Sequence, residues 1–303
     1  MAMHFYEPKS FCRCFGGPEP PVLVVSDGDS VRTKTIDAHG FDERERPVGA
    51  KPNPLTGPFE VAGSEAGDTL AVRLEELAPN RSSCWSHRYL AENALDPSYL
   101  RRLPEQAYTR WRIDPQGRRL SPAEPQGPGI LSLPLQPMLG CIGTAPADGQ
   151  ALSSATAGPH GGNMDYPGIA EGTTIYLPVF VPGARLYLGD GHATQGDGEI
   201  AGSGTEVSFD VRFTVTLLKG RRGEWPRGEN AEWLFALGNA RPLEQALQHA
   251  TTEMVRWLEA DYGLDAASLG LLLGQAGRYE VGNVFDPAYT VACKVPKWSL
   301  PRK

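Results

Sequence analysis

Two histidines, three aspartates, a glutamate, an asparagine and a glutamine crowd into two short stretches of this chain. The first reads Gly158-Pro159-His160-Gly161-Gly162-Asn163-Met164-Asp165. The second reads Gly189-Asp190-Gly191-His192-Ala193-Thr194-Gln195-Gly196-Asp197-Gly198-Glu199. In an extended segment alternate side chains point the same way. Asp190-x-His192 therefore offers a carboxylate and an imidazole to one side, and Asn163-x-Asp165 can do the same. Imidazole with carboxylate suits a divalent ion such as Zn²⁺, with a position left for water. The interleaved glycines let the backbone approach a bound molecule and take up positive φ. Glu199 is then a candidate general base for an activated water, and Asn163 and Gln195 are candidates to hydrogen-bond an amide or carboxyl group. The bland alternative is a Gly/Asp-rich turn region whose polar groups satisfy one another. The density of donors across both segments favours a site.

Other chemistries find less support. The Gly-x-Ser-x-Gly nucleophile elbow is absent. Cys141 sits in Gly140-Cys141-Ile142-Gly143, near the site in sequence, but without a context that marks a catalytic thiol. Gly183, Asp190, His192 and Glu199 echo a cupin metal motif only loosely, because Asp190 stands where the first histidine belongs and the spacing to Glu199 is too long.

The elements that must position these residues read as mainly β. The 303 residues include 35 glycines and 27 prolines, about a fifth of the chain, where average usage gives roughly 12%. Such punctuation favours short strands joined by tight turns over a helical bundle. The turn Ser26-Asp27-Gly28-Asp29 between two β-prone runs predicts a hairpin over 21–39, and the Gly63/Gly67 turn repeats the plan over 58–77. A third Gly-x-strand unit begins at Gly183. This pattern is either a duplicated β unit or recurrent turn chemistry. Residues 173–180 predict a strand, and 206–218 alternate apolar and polar side chains with period 2. From Pro242 the apolar spacing turns helical up to Gly263, a second helix follows Asp265 through Leu273, and 278–295 return to strand. The expected organisation is a mainly β domain over 1–220, interrupted by an irregular excursion at 85–130, followed by an α+β portion over 221–303. The basic cluster of that excursion, from Leu100 to Pro104 with Arg118 and Arg119, is expected to be solvated surface.

Composition bounds the partners. The net charge is −7 and no Lys/Arg run offers a phosphate-binding face, which argues against nucleic acid. No stretch is long and apolar enough for a membrane span. Cys12, Cys14, Cys84, Cys141 and Cys293 form an odd, scattered set, expected to be ordinary thiols in a reducing compartment. Without an apolar leader core, the cytoplasm is the expected location.

At the segment Pro159–Asp165 and the segment Gly189–Glu199 the chain resembles the acetamidase/formamidase family. Thr35-Ile36-Asp37-Ala38, Asn53-Pro54-Leu55-Thr56-Gly57-Pro58-Phe59, Gly67-Asp68-Thr69-Leu70 and Ile142-Gly143-Thr144-Ala145-Pro146 extend the likeness over roughly 20–295. The excursion, including Trp85 and His87, does not take part. The resemblance implies a mainly β fold, with a β-sandwich or barrel-like core and a smaller C-terminal α+β portion. It implies hydrolysis of short linear amides such as formamide or acetamide to ammonia and a carboxylate, a divalent metal, and a homo-oligomer. On that reading His160, His192, Asp37 and Asp190 hold the metal, with Zn²⁺ expected and Ca²⁺ the alternative. Glu199 handles the proton, and Asn163, Asp165 and Gln195 orient the amide. Asp37, Asp165, Asp190 and Asp197 are interchangeable as ligands at this level. Two other readings stay open: a non-catalytic Ca²⁺-stabilised binding module, and a cupin-like metalloenzyme of another reaction type.

Overall fold

The computed structural model describes residues 1–103, 105–124 and 131–301; Pro104 and the stretch 125–130 of the excursion lie outside the described residues. The strand with the clearest alternation, Phe209–Leu218, is the spine. Phe209, Val211, Phe213 and Val215 are buried while the residues between them reach solvent. It pairs antiparallel with Thr69–Pro79 along its whole length and with Ser30–Lys34 on its other side. These belong to a nine-stranded sheet ordered Met3–Phe5, Ser30–Lys34, Phe209–Leu218, Thr69–Pro79, Thr174–Pro178, Arg227–Glu229, Trp233–Ala240, Tyr289–Pro296 and Arg278–Asn283. A second sheet of six strands runs Ala157–Gly158, Gly161–Asn163, Met138–Gly143, Leu186–His192, Leu55–Val61 and Leu23–Val25. The main core joins the two sheets: Val31, Val72 and Phe213 from the first meet Phe59, Leu139 and Leu186 from the second.

The long helix Leu243–Tyr262 forms a third layer. Ala246, Ala250, Met254, Trp257 and Leu258 make one stripe and pack on Leu234, Ala236, Val291, Cys293 and Val295. Full burial of a large side chain of this kind contributes about 1.5–3 kcal/mol. The approach is close at Gly238, where a Cβ would lie 2.0 Å from the Ala246 carbonyl oxygen. Gly263 ends the helix in the left-handed region at φ 64 and donates to the Glu259 carbonyl. Asp265 caps the second helix, Ala266–Ala276, by accepting from the Ser268 N–H; that helix runs through Gly274 and stops at Gly277. Among the described residues no helix is long and apolar enough to cross a membrane.

Two expectations need correction. The turns at Gly28 and Gly67 exist, with φ of 82 and 95, but they do not close hairpins. Leu23–Val25 and Leu55–Val61 pair with each other in the six-stranded sheet, whereas Ser30–Lys34 and Thr69–Pro79 flank Phe209–Leu218 in the larger one. Each turn carries the chain from one sheet to the other, and in each an aspartate (Asp29, Asp68) accepts from the backbone N–H three residues earlier. The excursion is also more regular than expected. Ser83–His87, Tyr108–Asp114, Arg119–Pro122 and Leu133–Pro134 form a four-stranded antiparallel sheet. Its Cys84, Trp111, Ile113 and Leu120 join the main core, while Arg101, Arg102, Arg118 and Arg119 are exposed.

Candidate active site

The six-stranded sheet builds the floor of the site. Cys141 on Met138–Gly143 sits opposite Asn163 on one side and Gly189 on the other. Asp165 follows Asn163, and Asp190 and His192 end the neighbouring strand. Glu206 is bridged to His192 just before the spine strand begins. Glu199 lies in the short 3-10 turn Asp197–Glu199, and Asn283 and Asp286 arrive from the far end of the nine-stranded sheet. Three of these residues hold left-handed backbone: Asp165 at φ 43, Asp190 at φ 57 and Glu199 at φ 44. That conformation costs a non-glycine residue about 1 kcal/mol or more, and it persists where surrounding structure over-determines it. Here it turns all three carboxylates into one space. Gly140 makes room for them, because a Cβ there would lie 2.4 Å from both Asp165 Oδ1 and Asp190 Oδ2.

The polar groups around the carboxylates are tied down. Asn163 Nδ2 donates to Asp165 Oδ2 at 2.7 Å and also to Asp286, while its Oδ1 accepts from Asn53 Nδ2 at 2.8 Å and from the Cys141 thiol. Asn283 Nδ2 faces three carboxylates: Asp165 at 2.6 Å, Asp286 at 2.7 Å and Glu199 at 3.1 Å. Its own Oδ1 accepts from the N–H groups of Phe285 and Asp286, which locks the turn. Gln195 stands behind His192. Its Nε2 donates to the carbonyls of Asp165 and Gly282, so its Oε1 accepts from His192 Nδ1 at 2.8 Å. This bond puts the ring's other nitrogen in the site. His192 Nε2 lies 3.0 Å from Glu206 Oε1 and 3.5 Å from Asp190 Oδ1.

That arrangement concentrates negative charge where water is scarce. Burial, then Asp190 and Asp286, push Asp165 well above the usual carboxylate range. Burial, then Asp165 and Asp286, do the same to Glu199. Burial raises Glu206 to about 8, against the pull of His192. Burial disfavours charge on His192, yet Glu206 and Asp190 outweigh it and hold its pKa well above the usual value. Several buried atoms in the cluster have no hydrogen-bond partner: Asp165 Oδ1, Asp190 Oδ1, His192 Nε2 and Glu206 Oε2. Orphaned buried acceptors are costly, about 1–3 kcal/mol each and more when charged. A divalent cation answers both the orphaned atoms and the surplus charge. Donor atoms of Asp165, Asp190 and His192 lie within 4.8 Å of one another, as do those of His192, Glu199 and Glu206, and those of Asp165, Glu199 and Asp286. These buried groups could hold a metal ion.

The structure thus brings together Asn163, Asp165, Asp190, His192 and Glu199, with Gln195 behind the ring. It does not bring Asp37 or His160. Asp37 accepts at Oδ1 from the N–H groups of His39 and Phe41, and at Oδ2 from Arg81 Nη2 at 2.6 Å and Trp85 Nε1 at 3.1 Å. Four bonds leave that carboxylate fully engaged as the anchor of a loop. His160 caps the bend between two short strands, its ring centred 5.1 Å from that of Phe15. Burial lowers its pKa to about 4, and neither ring nitrogen has a partner. Asp197 is exposed. Sequence reasoning missed Glu206, Asn283, Asp286 and Asn53. Each comes from a segment with no local density of ligand types; the signals were Asn53 in the resembling segment Asn53–Phe59 and the lone Asn283-x-x-Asp286 pair after a strand.

A cavity of about 190 Å³ opens onto this cluster. Asn163, Asp190, Glu199, Glu206 and Asp286 line its polar side, and His39, Trp85 and His87 line the other. A larger cleft of about 990 Å³ lies between the long helix and the nine-stranded sheet, away from these groups; its most buried charge, Glu253, is already paired with Arg227 at 2.6 Å.

A profile described as the Acetamidase/Formamidase family matches residues 147–245, a span that holds both site segments. The formamidase of Methylophilus methylotrophus is 26% identical over 66% of this chain and 62% of its own length. The acetamidase of Mycolicibacterium smegmatis is 29% identical over 62% of this chain and 59% of its own. The chain therefore spans less than two thirds of these curated relatives. The crystal structure of an acetamidase from Yersinia enterocolitica superposes with a TM-score of 0.84 at 31% identity, covering 99% of this chain and 93% of that one. With sequence and fold agreeing along almost its entire length, the chain belongs to the acetamidase/formamidase family.

Proposed function

We infer that this chain hydrolyses primary carboxamides to a carboxylate and ammonia at the cluster of Asp165, Asp190, His192, Glu199, Glu206 and Asp286. The observation that carries the reading is the set of buried, partnerless ligand atoms on Asp165, Asp190 and His192, together with family membership. Those three residues would hold a divalent metal. One imidazole among carboxylates suits Zn²⁺, with Ca²⁺ as the alternative because oxygen donors dominate. When bound, the ion supplies Lewis-acid activation, which an amide needs because resonance makes its carbonyl a poor electrophile.

The chain's own residues do the rest. Asn283, donating to Asp165, Glu199 and Asp286, holds the carboxylates in register. Gln195 fixes the His192 tautomer. Glu199 lines the cavity and takes the proton of the attacking water as the water oxygen bonds to the carbonyl carbon. Glu199 returns that proton to the amide nitrogen as the carbon–nitrogen bond breaks, and ammonia departs. Asp190 borders the same space and faces the amide, while Asn163, its own donors and acceptor engaged, holds Asp165 and Asp286 beside it.

The test is ammonia release from a panel of small amides, with and without chelator. Release that falls on chelation and returns with Zn²⁺ supports the reading. A metal-loaded protein that releases no ammonia from any amide would overturn it and favour a binding module.

A further inference from the structure

Three rings, His39, Trp85 and His87, line one side of the cavity beside Ala38, Pro52 and Ala155, and the excursion supplies two of them. Trp85 and His87 alternate on Ser83–His87, and Tyr108, outside the cavity lining, lies directly opposite His87 on the paired strand and backs the same face. Their centroids lie 5.1–5.6 Å apart. His39 stacks on Trp85 at 3.9 Å with planes 20° apart. The indole is held in place, because Trp85 Nε1 donates to the buried, fully engaged Asp37. Burial keeps the His87 ring below its usual pKa, so it presents a neutral π surface at neutral pH.

We propose that the preferred substrate is an aryl or heteroaryl carboxamide, its amide seated on the Asn163–Asp190 floor and its ring lying along the Trp85–His87 wall. This rests on the amide-hydrolase reading above. The cavity of about 190 Å³ corresponds to about six water volumes at roughly 30 Å³ each. Formamide, with three heavy atoms, leaves most of that room to solvent. A single six-membered ring on the amide carbon fills it and exchanges water for ring-to-ring contact, which is favourable beyond the area it buries.

The experiment uses metal-loaded protein. It compares kcat/KM for benzamide and nicotinamide with that for acetamide and formamide, and measures nicotinamide binding by calorimetry. Benzamide or nicotinamide is expected to exceed acetamide by about tenfold. Trp85→Leu should lower the aryl-to-acetamide ratio about tenfold and weaken nicotinamide binding to match. His87→Leu provides the same readout should the first variant fold poorly. Acetamide turnover with aryl amides neither bound nor preferred overturns the ring-wall inference and leaves the hydrolase reading standing. Saturable, Trp85-dependent nicotinamide binding with no hydrolysis of any amide sustains the wall and overturns the hydrolase reading. Failure of both readouts overturns both.

Discussion

Gly140→Ala is the sharpest test of the site's architecture. Gly140 does not occupy the left-handed region, so alanine's backbone is tolerated and only the added methyl acts. That methyl would lie 2.4 Å from Asp165 Oδ1 and 2.4 Å from Asp190 Oδ2. Carbon and oxygen that are not bonded settle at about 3.2 Å or more, close to the carbon–carbon optimum. Both carboxylates must therefore retreat by about 0.8 Å, on short side chains whose backbones are already in left-handed conformations. Misplacement by about 1 Å in a reacting constellation costs about 100-fold, and overpacking of a filled interior costs about 1–3 kcal/mol. We expect kcat/KM for ammonia release to fall about 100-fold, metal content to drop, and the melting temperature to fall by several degrees. Gly196→Ala is the control, since nothing lies within 4 Å of its added carbon. A Gly140→Ala protein with activity within threefold of wild type would refute the view that these two carboxylates are placed by the gap Gly140 leaves.

Glu199→Gln should abolish turnover while leaving metal bound, as read by single-turnover assay and metal analysis; full activity removes Glu199 from the proton-handling role. Arg81→Met strips the buried Asp37 of its charge partner and should cost about 3 kcal/mol in urea unfolding with metal stoichiometry unchanged; loss of metal would restore Asp37 as a ligand. His160 is held neutral in the fold, with its pKa lowered by burial to about 4 against 6.5. The unfolded chain therefore binds more protons between those values, and stability falls as pH drops through that window. His160→Phe should lose about 2 kcal/mol less than wild type between pH 7 and pH 5; parallel stability profiles would show that the ring titrates normally in the fold.

Legibility of this chain followed the range of the interactions involved. The long helix could be read because its determinants are local: Pro242 before it, a 3.6-residue apolar stripe, and Gly263 after it. The strand Phe209–Leu218 announced itself by alternation for the same reason. The turns at Gly28 and Gly67 were also visible, but a turn specifies a reversal and not the partner beyond it. Pairing across two sheets was decided by Phe209–Leu218, far away in sequence. The site divides in the same way. Asn163, Asp165, Asp190, His192 and Glu199 betray themselves by crowding, whereas Glu206, Asn283 and Asp286 look like any surface polar residue until the fold collects them. Asp37 shows why sequence alone leaves a ligand set open: a carboxylate paired with Arg81 and Trp85, 44 and 48 residues away, has the same sequence signature as one buried for a metal.

Trp85 is fastened to the floor by its main chain. Its N–H donates to the Glu206 carbonyl at 3.2 Å, and its carbonyl accepts from the Glu206 N–H at 2.7 Å. Neither bond involves the indole. Exchanging the side chain here gives up its one bond to Asp37, while the main-chain pair that seats Glu206 beside His192 keeps its register. Position 85 is thus a point where the ring wall proposed above can change while the backbone under the carboxylate cluster stays as it is.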